Sequence, residues 1–318
     1  MYFEKVKQII GNKYEDDFNF ICVDATYNDS KIFNNKAITN LDMYYQATSE
    51  VILYYYFKKF FSLVEYDQKI VPGNEHDVDI VASDPKLPFK INAEIKTPFT
   101  SADNPNDYTF QMVHRYDNKK PEESPYYQGF KKTITSLVDC INKYAKQNIK
   151  KPEKINDDMT FKNNFDKAIY KFGIPGNREI NVLFICVSTS RMEHYLDIIM
   201  NPYTGMLTDN SFMNLDEYKN IEFFVLSNCL ESQLKPNNFN CWDESNYINF
   251  VIRNGKGEDE NQETKHIYLS TLLNDEYPNF YKFYSNYNFK DEAGNDMPKI
   301  TSIAFDAYLS KRTNNTKD

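Results

Sequence analysis

Residues Ile180 to Val187 read INVLFICV, an apolar run broken only by Asn181 near its start. Successive side chains of a strand point to opposite sides, so a strand of this composition has no face that belongs in water. It has to lie inside a sheet that is covered on both sides, and the rest of the chain must supply the cover. Leu41 to Phe61 is apolar around most of a helical circumference, contains neither Gly nor Pro, and follows Asn40, which can accept first-turn amides. A long, largely buried helix is expected there. Leu63 to Ile70, Asp77 to Ala82 and Lys90 to Lys96 are short segments separated by the turn-forming Pro72-Gly73-Asn74 and Asp84-Pro85-Lys86, and they read as a three-strand meander. Gln128 to Tyr144 carries Phe130, Ile134, Leu137, Val138 and Ile141 at spacings of three and four, the stripe of a helix covering a sheet on one side.

A further helix is expected from Phe161 to Phe172, ending at Gly173, and another near Met192 to Met200. Strands follow at Ile221 to Leu226 and Tyr247 to Ile252, then C-terminal helices. Helix, three meandering strands, helix and buried strand make an α/β fold, a mixed sheet with helices on its faces. Residues 97–125 are polar, hold four prolines and show no period, so they read as a loop insertion longer than an ordinary connection. Residues 1–39 read as an N-terminal helical segment, 254–265 as a solvated loop, the last several residues as a loose tail, and 191–318 as an extension of the same domain.

Charge narrows the function. Asp and Glu number 46 against 37 Lys and Arg, a formal net charge of -9, which is the wrong sign for wrapping a polyanion. Binding to nucleic acid would have to be local or assisted by metal. The 5 cysteines include no Cys-x-x-Cys pair and sit partly in apolar runs, so they read as reduced core residues. No stretch of eighteen apolar residues and no signal-peptide pattern occurs, and the expectation is a cytoplasmic protein without a membrane partner. The 25 Tyr and 24 Phe accompany an abundance of Asn, Lys and Ile typical of coding bias, so they carry no argument for a stacking platform.

P-loop, dinucleotide-binding, zincin and nucleophile-elbow motifs are missing, and the 4 histidines share no ligand spacing. What remains is a pair of segments, Asp77-Val78-Asp79-Ile80-Val81-Ala82 and Lys90-Ile91-Asn92-Ala93-Glu94-Ile95-Lys96. Alternation puts Asn92, Glu94 and Lys96 on one face, and pairing with the preceding strand can bring an Asp beside Glu94. Two carboxylates and a lysine at a sheet end suit a hard divalent cation, with the ammonium placed to orient a water or offset charge on a phosphate. The same residues would also suit the solvated face of an edge hairpin with cross-strand ion pairs, but that leaves the order of elements unexplained. Two other Glu-x-Lys triplets, Glu217-Tyr218-Lys219 and Glu263-Thr264-Lys265, follow no Asp-bearing strand, and the second falls in the expected charged loop.

Asp79 followed by Glu94-Ile95-Lys96, in this order of elements, resembles the PD-(D/E)xK nuclease superfamily, the fold of most type II restriction endonucleases. The resemblance covers roughly residues 40–190. Val78 stands where the family often has Pro, so Asp77 competes with Asp79 as the ligand, although Asp79 opens the apolar run as the family Asp does. The resemblance implies a restriction-endonuclease-like core and a metal-dependent DNA endonuclease. Asp79, Glu94 and the Ile95 carbonyl would hold Mg²⁺, with Mn²⁺ substituting, and Lys96 would position the water. Glu50, on the helix before the meander, is a further acid, and Gln128 a possible polar site residue. Double-stranded DNA is the expected substrate and a homodimer the expected assembly. Between Lys119 and Lys154 nine lysines, among them Lys119, Lys120, Lys131 and Lys132, face four acids, which suits a phosphate-tracking face or a solvated helix surface. His114 and Arg115 in the long loop are DNA-contact candidates, although such a pair is more often plain surface. The alternatives are a phage-defence nuclease with another trigger, action on RNA or single strands, or a non-catalytic nucleic-acid-binding or DNA-mimic protein.

Overall fold

The computed structural model describes residues 41–98, 125–146, 157–202, 205–209, 211, 213–230, 247–254, 260–286 and 300–315. The expected segment at 1–39, most of the loop at 97–125, and the candidates His114, Arg115, Lys119 and Lys120 lie outside these residues. Strand β4 (Glu179–Cys186) is buried from Ile180 to Cys186. The sheet around it contains β1 (Leu63–Gln68), β2 (Val78–Ser83), β3 (Lys90–Lys96), β5 (Phe223–Ser227) and β6 (Asn249–Arg253), in the order β1-β2-β3-β4-β5-β6. The pairs β1/β2 and β2/β3 are antiparallel, β3/β4 and β4/β5 parallel, and β5/β6 antiparallel. The sheet is therefore mixed, with its parallel strands innermost, where both faces are covered.

The chain divides into two compact units, residues 1–98, 165–192 and 215–285 forming the first and 99–164, 193–214 and 286–318 the second. The whole sheet lies in the first. Register places Ala93, Val182 and Phe223 on one face together with Ile95 and Phe184, and Glu94, Leu183 and Phe224 on the other. Helix α1 (Leu41–Lys58) covers the first face, with Phe57 edge-on to Phe184 at 5.9 Å between ring centres. Helix α5 (Glu260–Leu273) lies on the same face: His266 stacks on Phe223 at 5.8 Å, and the Tyr56 hydroxyl of α1 donates to the Leu272 carbonyl at 2.6 Å. On the opposite face Phe165, from the end of α3 (Asp157–Ile169), meets Phe224 at 5.4 Å, and Phe280 of α6 (Tyr277–Ser285) meets Phe250 at 5.5 Å. Each of the fully buried Phe side chains among these contributes about 1.5–3 kcal/mol by leaving water.

In the second unit lie α2 (Pro125–Ala145), the start of α3, the larger part of α4 (Thr189–Met200) and α7 (Ile300–Asn315). There the Thr301 N–H donates to Asp197 at 3.0 Å, and Phe161 packs against Tyr195.

Turn chemistry sets the meander. Gly73 takes φ +78°, and the Asn74 N–H closes the turn onto the Val71 carbonyl. Asp84 accepts the Lys86 N–H through Oδ1 and the Ser62 N–H through Oδ2, tying the second turn to the start of β1.

Three sequence expectations are corrected. Leu137 was placed on the apolar stripe of α2, yet it is 45% exposed, whereas its neighbour Val138 is fully buried. Cys140 is exposed on the same helix, in contrast to the buried Cys186 and Cys229. Residues 254–265 are not one solvated loop: α5 begins at Glu260, and Lys265 is 2% exposed. The charge pattern there was misleading because Lys265 faces inward to a buried acid. Its Nζ lies 2.7 Å from Glu222 Oε1 and donates to the Gly176 carbonyl at 3.1 Å, while Glu222 Oε2 accepts the Asn181 N–H at 3.1 Å. Burial raises the Glu222 carboxyl above its ordinary range against the pull of Lys265.

Lys265→Met leaves Glu222 buried without its cation and is expected to lower stability by ~3–5 kcal/mol in urea denaturation. Adding Glu222→Met should recover part of that loss, the remainder reflecting the Asn181 N–H left without its acceptor.

Candidate active site

Strands β2 and β3 meet in the register Ile80↔Ala93, Val81↔Asn92 and Ala82↔Ile91. The next step outward brings Asp79 opposite Glu94, with Lys96 two residues further on the same face. The strand ladder is completed there by a side chain, for Asp79 Oδ2 accepts the Ile95 N–H at 2.6 Å. Asp77 precedes β2, and the acid that acts electrostatically on Glu94 is Asp79. Of the two candidate acids, Asp79 is the one that faces Glu94.

Glu94 is fully buried and Asp79 is 8% exposed. Two ammonium groups meet them. Lys96 pairs with Glu94 Oε1, and Lys171 lies 2.7 Å from the same oxygen and 3.6 Å from Asp79 Oδ1. Glu94 Oε2 is buried with no hydrogen-bond partner among the described residues. Burial first, and the Asp79 charge second, push the Glu94 carboxyl up to about 7, against the attraction of Lys96 and Lys171. For Lys171 burial disfavours the charged form, but Asp79 and Glu94 outweigh it and hold the ammonium above its ordinary range.

Glu50 reaches this end of the sheet from α1. It finds the partners that an acid in apolar surroundings requires: Tyr66 donates its hydroxyl to Oε2 at 2.5 Å, and Gln46 donates to Oε1 at 2.6 Å. Gln46 also donates to the Ile95 carbonyl at 2.7 Å and accepts the Thr97 N–H at 2.8 Å, so one amide links α1 to the end of β3. Burial, followed by the nearby Asp79 charge, raises Glu50 well above the carboxylate range, and the Tyr66 hydrogen bond opposes that rise.

Asp79, Glu94, Lys96 and Glu50 are thus gathered at one end of the sheet, and the Ile95 carbonyl sits among them with Gln46 as donor. Gln128 and Lys131 belong to α2, in the second unit, and their side chains are outside the described residues; Lys132 is exposed on that helix. Sequence reasoning missed Lys171, Gln46 and Tyr66. Gln46 stands four residues before Glu50, one helical turn away, and that spacing could have flagged it. Tyr66 and Lys171 reach the site through tertiary packing alone.

Among the described residues, no group of three or more His, Cys, Asp and Glu side chains is arranged to hold a metal ion. Comparison of the chain with models of known families, with curated proteins and with solved structures gives no match.

A folded-state proton affinity raised from 4.5 to about 7 means that the Glu94 contribution to stability is full below about pH 4.5 and is lost as pH rises to about 7. In chelator, the Tm of the wild-type chain should therefore fall more between pH 5 and pH 8 than that of Glu94→Gln, as read by scanning calorimetry.

Proposed function

We propose that the chain is a divalent-cation-dependent nuclease with a restriction-endonuclease-like core, hydrolysing phosphodiester bonds of DNA. The observation that carries this reading is the convergence of Asp79, Glu94 and Lys96 on one face at the ends of adjacent strands. The order α1, β1, β2, β3, helices, β4 supports it, since a helix, a three-strand meander, helix and strand frame the same residues. Two helices, α2 and α3, stand between β3 and β4.

The donor set fits a hard cation. Glu94 Oε2, a buried carboxylate oxygen with no hydrogen-bond partner among the described residues, is an acceptor that a cation would satisfy, and the facing Asp79 supplies a second carboxylate. Asp79, Glu94 and the Ile95 carbonyl would hold Mg²⁺, and Mn²⁺ would substitute. Bound there, the ion supplies Lewis acidity and a water of lowered pKa. The chain supplies the rest. The Ile95 N–H fixes the Asp79 carboxylate, Gln46 fixes the Ile95 carbonyl, and Lys96, 18% exposed at its side chain, presents an ammonium that can orient a water and offset charge developing on the phosphate. A homodimer would give two such sites, the simplest way to cut the two strands of a duplex as a type II restriction endonuclease does; a defence nuclease with another trigger would use the same residues.

A second reading is favoured by one observation: in the structure the ammonium groups of Lys96 and Lys171 already occupy Glu94. A non-catalytic binding protein that kept this arrangement would show neither cleavage nor carboxylate-dependent metal binding. Plasmid cleavage in Mg²⁺ separates the two. Glu94→Ala and Lys96→Ala should each slow cutting at least about a hundredfold, the scale of losing one electrostatic stabiliser. Undiminished cutting by both variants would remove the assignment.

A further inference from the structure

Apart from Glu50, which Tyr66 and Gln46 engage, the charges at the site sum to zero: the carboxylates of Asp79 and Glu94 stand against the ammonium groups of Lys96 and Lys171. A divalent cation meets no net attraction in such a set, so its binding requires one ammonium to move away. The two lysines are not equivalent. Lys96 pairs with Glu94, whereas Lys171 contacts oxygens of both acids, at 2.7 Å from Glu94 and 3.6 Å from Asp79, which is where a cation shared by two carboxylates has to sit. Lys171 also has a way out. It follows the end of α3, its N–H closing a turn on the Ala168 carbonyl, its side chain is 21% exposed, and the nearby Tyr170 and Ile174 are 70% and 81% exposed. A flexible four-carbon stem lets the ammonium leave without backbone movement.

We infer that Lys171 is a built-in counter-cation, a positioning residue that holds Asp79 and Glu94 together until a divalent cation displaces its ammonium. The inference rests on the reading of the site as a divalent-cation site. Metal binding is then an exchange of cations, and Lys171 weakens metal affinity while keeping the empty site folded. This sets it apart from Lys96, whose proposed role is to act on the water and phosphate.

Calorimetric titration of the full chain with Mn²⁺ at pH 8 provides the test, with the fold of each variant checked by circular dichroism. Lys171→Met should bind Mn²⁺ about tenfold more tightly than the wild type, because the ion no longer has to displace an ammonium held within about 4 Å of both carboxylates. Lys171→Arg, which keeps the charge, should bind no more tightly than the wild type, and Glu94→Ala should abolish the heat. A purely structural role predicts the opposite sign, because local disorder on losing Lys171 would loosen the carboxylates and weaken binding. If Lys171→Met does not fold, Lys171→Gln takes its place. Equal or weaker affinity in the folded neutral variant, with Glu94-dependent binding intact in the wild type, overturns the role of Lys171 and leaves the nuclease reading standing. Absence of any Glu94-dependent heat in the wild type and in the neutral variants overturns both.

Discussion

Strand β4 has water on neither side, and the first unit is arranged around that fact. Ile180 to Cys186 are all buried, and the neighbouring strands β3 and β5 run parallel to β4, the arrangement in which both faces of a sheet are usually covered. Helix α1 supplies one cover through Phe57, and the end of α3 begins the other through Phe165. The parallel pairing of β3 with β4 also aligns Lys96 with Ile185, so the polar end of β3 lies beside an apolar strand end. Glu94 opposite Leu183 inherits that environment, which is why a carboxylate on this strand is fully buried.

Burial of Glu94 then governs the chemistry. A charged oxygen removed from water needs compensation, and among the described residues two ammonium groups meet one oxygen of Glu94 while the other has no partner. The facing Asp79 adds repulsion, so Glu94 holds a proton more readily than it would in water. The Ile95 N–H is a fixed donor to Asp79, and Gln46 and Tyr66 are donors to the neighbouring Glu50, with Gln46 also tied to the Ile95 carbonyl.

Much of the fold was legible because its signals are local. The meander follows from two turn clusters and from alternation along β2 and β3, and the double-sided strand from its unbroken apolar run. That an Asp of this segment comes beside Glu94 was legible for the same reason, since a side-chain period of two and an antiparallel register leave few choices. Where local signals failed, a charge had been taken as a sign of solvent. Lys265 looked like part of a solvated loop, yet it is the buried partner of Glu222 from forty-three positions earlier in the chain. Leu137 failed in the opposite sense, as an apolar residue of a helical stripe that is itself 45% exposed.

By itself the sequence determined that the chain needs a covered sheet, that β2 and β3 carry acids and a lysine on one face, and that Glu50 has to find a polar partner inside an apolar helix. Those conclusions depend only on side-chain periodicity and on the cost of burying charge, both properties of a few adjacent residues. Tertiary structure alone decided which of Asp77 and Asp79 meets Glu94, which hydroxyl and amide satisfy Glu50, and that Lys171, 77 residues beyond Glu94, comes to bridge the two acids. No local pattern encodes those contacts, because they depend on the register of β2 against β3 and on how α1 and the end of α3 pack against opposite faces of the sheet.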